Sequence, residues 1–236
     1  MTDPFFALHS GLDREGPGEP ADVAWAAATA ELAQDARICD AGCGAGADVP
    51  ALLTAAPQGH VTAVDNHKPF VDDVLARFGD DPRVTAYAGD MIKLKGPFDF
   101  IWCAGAIYFV GIEKALNCWR PALAKGGAVA FSEPCLFGAD PSDQARAFWS
   151  GYERLTDVAG IAAQVEEAGY TLLGTRRLSD AAWEAYYGPL QARLDTLRAG
   201  AATELAKVLD EAAAEIAHWR AVKDETGYLL CVARPA

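Results

Sequence analysis

ICDAGCGAGAD, residues Ile38 to Asp48, places three glycines, Gly42, Gly44 and Gly46, within five positions directly after a short apolar run. Glycine loses more backbone freedom on folding than any other residue, so such a cluster marks a sharp turn or a close approach to the main chain. The run before it, from Ala36, reads as a buried strand. ADVPALLTAA after it, 47–56, reads as a helix with Asp48 in its first turn, where negative charge is favourable. A glycine turn between strand and helix stands beyond the carboxyl end of the strand, where doubly wound sheets bind ligands.

The same alternation extends outward. Pro20–Gln34 is alanine-rich with helical spacing, after an irregular start. Strands are predicted at His60–Asp65, Arg83–Asp90, Phe98–Gly105 and Ala128–Pro134, with helices over 68–79 and 111–127 between them. Alternation from about 37 to 134 predicts an α/β fold: a doubly wound, mostly parallel, Rossmann-like sheet with helices on both faces. Beyond Pro134 helices dominate to Ala168, Gly169–Leu178 reads as a strand, and a helical stretch from Asp180 to Val222 is broken near Gly200. Gly227–Pro235 closes the chain as a strand, and these last two strands extend the far edge of the sheet. No linker divides the chain. One domain is expected over 1–236: an N-terminal lid and helix (1–35), a ligand-binding core (36–134), and substrate-side helices with edge strands (135–236).

The residues around the glycines narrow the ligand. The spacing is G-x-G-x-G, not the G-x-G-x-x-G of dinucleotide binders. Asp40, two residues before Gly42, would repel a pyrophosphate and welcome an ammonium group. Asp65 ends the second strand, 19 residues after Gly46, where a carboxylate can accept both hydroxyls of a ribose. Asp90 ends the third strand, placed to accept an adenine amine, and Met91 offers apolar contact to the ring. A ribose, no diphosphate and a positive amino-acid-like end describe S-adenosylmethionine.

Composition restricts the rest. Against 20 basic side chains stand 33 acidic ones, a net charge of -13, and the nearest approach to a basic patch is Arg176–Arg177. Such a surface repels phosphate-rich polymers, so nucleic acid is not an expected partner. No apolar run approaches the ~18 residues of a membrane span. The six cysteines lack the two-residue spacing of a zinc or redox pair and read as unpaired thiols of a cytoplasmic protein. His9, His60, His67 and His218 are scattered, so no metal is expected. MTDPFFALHSGLDREG lacks the basic-then-apolar layout of a signal peptide. The expected partner is a small-molecule substrate, and a homodimer is left open.

Taken together, ICDAGCGAG, VTAVD, AYAGDM, FDFIWCAGAIYFVG and LAKGGAVAFSEP resemble, in order and spacing, the five motifs of class I S-adenosylmethionine-dependent methyltransferases. DREGPGEP, IWCAGAIYFVGIEKALNCWRPALAKGG and AWEAYYGPLQARL are similar to a bacterial small-molecule group, the type 11 or ubiquinone-biosynthesis-like methyltransferases. The resemblance implies a seven-stranded sheet whose last strand is antiparallel, with a helical lid or insert. It implies that Gly42, Cys43, Gly44 and Gly46 cradle the cofactor, with Asp40 toward its amino group. Asp65 would hold the ribose, Asn66 would lie beside the adenine, and Asp90 and Met91 would flank it. Cys103, Ala104 and Gly105 would lie under the sulfonium as backbone. Members of the group often carry a carboxylate where this chain has Ala104.

Methyl transfer from a sulfonium is a direct in-line displacement that demands alignment and exclusion of water more than covalent machinery. Tyr108 and Phe109 follow the fourth strand, and Glu133 stands in the fifth. Trp183, Tyr186 and Tyr187 share a helix face, as core or as substrate wall. Arg14 can pair with a substrate anion or with a surface acid. Tyr108, Glu133 and His9 are the candidates for a catalytic base. Two rival readings use the same sheet: an NAD-dependent oxidoreductase, which the missing G-x-G-x-x-G and Asp40 oppose, and a non-catalytic cofactor- or partner-binding protein.

Overall fold

The computed structural model describes residues 4–236. Two helices come first, α1 (Pro4–His9) and α2 (Pro20–Thr29). There follow β1 (Arg37–Ala41), α3 (Val49–Ala55), β2 (His60–Asp65), α4 (Lys68–Phe78), β3 (Val84–Ala88) and β4 (Phe98–Cys103). A short turn of 3-10 helix, Ile107–Phe109, leads into α5 (Ile112–Trp119) and then β5 (Leu123–Leu136). The rest comprises α6 (Asp143–Phe148), β6 (Thr156–Asp157), α7 (Val158–Glu167), β7 (Tyr170–Arg177), α8 (Asp180–Arg198), α9 (Thr203–Val222) and β8 (Thr226–Pro235).

The strands form one sheet in the order β3-β2-β1-β4-β5-β8-β7, with the two-residue β6 beside β5. The pairs from β3 through β5 are parallel, and β8 runs antiparallel to both β5 and β7. The order reverses between β1 and β4, which opens a crevice at their carboxyl ends. Central strands are buried on both faces, as a parallel sheet requires. Neighbouring residues face opposite cores: Ile38, Phe100 and Ala128 join one apolar cluster, Cys39, Ile101 and Val129 the other. This is the period of two dictated by the pleat. All six cysteines are free thiols, five of them buried. No helix among the described residues is long and apolar enough to cross a membrane.

Three stretches differ from the sequence reading. The helices expected to dominate up to Ala168 are interrupted by a loop after Phe148 and by the two-residue β6. The helix predicted over 111–127 stops at Trp119. Pro121 cannot donate to a continuing helix. Leu123 instead pairs with Phe98, and the register shifts before Phe100 meets Ala128, so LAKGG belongs to β5. The irregular start contains α1. It is too short for periodicity to reveal, and packs by Leu8, which is fully buried. Arg193 of α8 donates to the carbonyls of Ala7 (2.9 Å) and Leu8 (3.0 Å), satisfying the open end of the helix.

Candidate active site

The turn from β1 to α3 is left-handed at all three of its glycines, with φ of +78°, +51° and +81° at Gly42, Gly44 and Gly46. Side chains rarely adopt these angles. The turn is tied to the end of β2. The amides of Gly42 (2.8 Å) and Cys43 (3.1 Å) donate to the Val64 carbonyl, and that of Gly44 donates to Asp65 Oδ2 (3.0 Å). Asp65 Oδ1 accepts from the His67 amide at 2.8 Å. Asp65 thus fixes the glycine loop while its carboxylate faces the crevice.

A cavity of about 450 Å³ fills that crevice. Its floor is Asp40, Gly42, Cys43, Gly44 and Asp65, and Asn66, Asp90 and Met91 form one wall. Gly105, Tyr108 and Phe109 form the other, with Ala104 and Ala106. Arg14, Glu15, Gly16 and Pro17 pass over the glycines. Two residues expected here lie elsewhere. Gly46 is outside the lining, and a Cβ on it would stand 2.8 Å from Val74 Cγ2, so its bareness lets α4 pack on the turn. Cys103 is wholly buried in the second core cluster, one residue short of the lining.

The cavity is acidic. Asp40 is 3% exposed, and its Oδ2 is buried without a hydrogen-bond partner. Burial, with the nearby Asp48 charge, pushes its carboxyl well above the usual range, against the pull of Arg14. Asp48 is itself paired: it accepts from Arg14 and, at 2.9 Å, from the indole of Trp102. Asp90 accepts from the Ile92 amide (3.1 Å) and lies 3.3 Å from Lys93 Nζ, so it caps the next turn while facing the cavity. The segment over the glycines is also anchored to α8. The Gly18 amide donates to the Ala182 carbonyl (3.0 Å), and Ser179 Oγ donates to Glu19 (2.6 Å).

A second cavity, about 560 Å³, adjoins the first and shares Glu15, Gly16, Pro17, Gly105, Tyr108 and Phe109 with it. Trp183, Tyr186 and Tyr187 line it, so the aromatic stripe of α8 faces both core and cavity. Tyr228, Trp149, Tyr152 and Glu215 complete much of the wall. Glu133 lies outside the lining and is 2% exposed. Its Oε1 accepts from the Tyr152 hydroxyl, and its Oε2 has no partner. Burial pushes its carboxyl up to about 7, opposed by the Tyr152 hydrogen bond and the Arg154 charge. His9 lines neither cavity: it is buried, with Nδ1 2.7 Å from Glu15 Oε2, and stacks on Phe5 at 4.1 Å. Phe109 is 74% exposed at the shared rim. Glu15, Tyr152 and Tyr228 carried no signal in the sequence, because distant parts of the chain bring them together.

Residues 38–127 match the family model described as a methyltransferase domain. A search of curated proteins found no match. Among solved structures, a SAM-dependent methyltransferase from Geobacter sulfurreducens in complex with S-adenosyl-L-homocysteine superposes with a TM-score of 0.83 at 20% identity, over 100% of this chain and 99% of that one. One from Thiobacillus denitrificans, in complex with the same compound, gives 0.83 at 19% identity, over 100% and 99%. YjhP from E. coli gives 0.83 at 19%, over 99% of both chains. The protein has the class I methyltransferase fold, and the matched segment spans the glycine turn, the acids Asp40, Asp65 and Asp90, and β4.

Proposed function

We propose that the protein is an S-adenosylmethionine-dependent methyltransferase acting on a small-molecule acceptor by direct in-line displacement. The observation that carries this reading is the orphaned Oδ2 of Asp40, buried at the floor of the first cavity. A buried carboxylate without a partner is costly, and a ligand ammonium supplies the missing donor. Asp65, at the neighbouring strand end, keeps lone pairs for ribose hydroxyls beside its two backbone bonds. A Cβ at Gly42 would lie 2.6 Å from Ala106 Cβ, so glycine there keeps the floor open. The five carboxylates of the lining, against one arginine, oppose a pyrophosphate and hence the nicotinamide reading. Structures similar in fold bear S-adenosylhomocysteine, which supports the same choice.

The cofactor supplies an electrophilic methyl group on a positively charged sulfur. The chain's own residues do the rest. Asp40 and the glycine amides would bind the amino-acid end, Asp65 the ribose, and Asn66, Asp90 and Met91 the base. Gly105 and Tyr108, shared by both cavities, would form the passage where acceptor and methyl meet. Residues 14–17 would act as a lid that excludes water, anchored by Arg14 on Asp48. Arg14→Ala is then expected to weaken S-adenosylhomocysteine binding roughly 5- to 30-fold, since a broken, partly buried ion pair is worth about 1–2 kcal/mol here. Unchanged affinity by calorimetry would remove Arg14 from the lid.

The main test is calorimetric titration with S-adenosylmethionine, S-adenosylhomocysteine and NAD, on wild type and Asp65→Ala. The sulfur compounds should bind and NAD should not. The substitution should weaken binding at least tenfold, about 1.4 kcal/mol, since it removes charge-assisted acceptors from the ribose. NAD binding without response to the sulfur compounds would overturn the reading.

A further inference from the structure

The second cavity has chemistry of its own. Its walls are aromatic on several sides, and three of its rings form a stack that continues into the core: Tyr108 lies over Tyr228 (6.3 Å), Tyr228 over Trp183 (5.3 Å), and Trp183 over Trp219 (4.9 Å). Aromatic faces carry negative charge density and attract cations, most strongly where water is excluded. The carboxylates point the same way. Glu15 and Glu215 line the cavity, and Glu15 Oε1 is buried without a partner. Glu133 stands behind Tyr152, with its Oε2 also unpartnered. Around Glu133 are Tyr152 and Arg154 from the 150–155 loop, Cys103 from β4, Tyr108 beyond it, and Tyr228 and Cys231 from β8. Arg154 is the cation of this group and also lines the cavity, against the two carboxylates of Glu15 and Glu215; its guanidinium is engaged by the Tyr108 carbonyl at 2.7 Å and lies over the Tyr152 ring. An anionic acceptor, such as a carboxylate or phenolate, would meet like charges in this chamber; a cation would meet complementary ones.

We infer that the second cavity takes an organic amine as methyl acceptor, held as its ammonium by the aromatic walls with Glu15 and Glu215, and relieved of its proton by Glu133 through Tyr152. This rests on the methyltransferase reading and adds the substrate class to it. The step balances. The ammonium first loses one proton, which frees the nitrogen lone pair. That pair forms one N–C bond as one S–C bond breaks with its electron pair staying on sulfur, leaving the methylated ammonium and a neutral thioether. Tyr152 lines the cavity, and its hydroxyl already donates to Glu133. It can pass its proton inward and accept the one from nitrogen. A carboxylate set in the neutral range suits an ammonium proton far better than that of an alkyl alcohol.

The probe is benzyltrimethylammonium, with benzyl alcohol and benzoate as neutral and anionic counterparts of similar size. Each is titrated at pH 8 into the protein with and without S-adenosylhomocysteine, and S-adenosylhomocysteine binding is measured on its own. The ammonium is expected to bind at least tenfold more tightly than either counterpart. Glu133→Gln, which keeps the shape, should reduce that preference at least threefold and leave benzyl alcohol unchanged. Tyr152→Phe should leave the ammonium bound but slow methylation of a primary amine, in kcat and not in KM. Equal binding of the three probes, tighter benzoate, or no binding at all would overturn the amine assignment while S-adenosylhomocysteine binding upheld the cofactor site. Failure of S-adenosylhomocysteine to bind would overturn the methyltransferase reading instead.

Discussion

Asp40→Asn is expected to bind S-adenosylhomocysteine roughly 30- to 1,000-fold more weakly than wild type, the consequence of losing about 2–4 kcal/mol when one partner of a desolvated charge pair is removed. The same substitution is expected to raise the unfolding temperature of the unliganded protein. The sign follows from burial. Asp40 is 3% exposed and has an unpartnered oxygen, so its folded-state carboxyl holds its proton above the ordinary range. A carboxyl raised on folding binds more protons in the folded state than in the unfolded one. Its contribution to stability is therefore present at low pH and lost as pH rises from the ordinary carboxylate range through the folded value. Asparagine does not titrate, so the gain should be largest near neutrality and shrink as the pH approaches ~4, the unfolded carboxylate range. Thermal melts at both pH values, beside calorimetry, make the check. Unaltered affinity would remove Asp40 from the ligand site. A variant less stable at neutral pH would mean that the carboxylate is satisfied within the protein. A residue kept at the expense of stability is what a binding site requires.

The part of this site that the sequence disclosed is the part built from one local motif repeated along a sheet. Gly42, Gly44, Asp40, Asp65 and Asp90 each sit at or just past a strand end, and the parallel sheet brings strand ends to one edge. Reading strands and their terminators was enough to collect them. Gly46 belongs to the same motif by spacing, yet its neighbours are Val74 and Phe78 of α4. A string cannot separate a glycine that admits a ligand from one that admits a helix. Cys103 was expected at the site as backbone only. The strand carries it to the edge of the sheet, but the pleat turns its side chain into the core. The second cavity was legible least. Tyr152 lies in a loop where helices seemed to run on, Tyr228 in the last strand, and Glu15 in a segment without periodicity. Their meeting depends on how β8 inserts between β5 and β7, which fixes the neighbour of Glu133 as Leu229 and that of Pro134 as Tyr228. Strand order of this kind is set by the whole sheet, not by any window of residues.

Trp183→Ala is expected to lower the unfolding temperature by roughly 6–20 °C. Removing a buried tryptophan costs about 3–5 kcal/mol, and each kcal/mol moves the midpoint by about 2–4 °C in a chain of this size. Trp183 is 3% exposed and lies between the rings of Trp219, at 4.9 Å and 15°, and Tyr228, at 5.3 Å and 17°. It joins α8, α9 and β8, and neither stacked ring can slide far enough to refill the space without leaving its own partners. Serving also as cavity wall, it couples the two roles that its position on α8 leaves open: core packing and contact with the acceptor. The two are separable by experiment. The first cavity does not include Trp183. S-adenosylhomocysteine affinity, measured well below the new midpoint, should therefore stay within about twofold of wild type, while benzyltrimethylammonium binding should fall at least tenfold. A melt that barely moves would mean that the aromatic stack is not a structural element of this face. An equal loss of both affinities would mean that the two cavities form one cooperative unit, closed by the segment that carries Glu15 and Pro17.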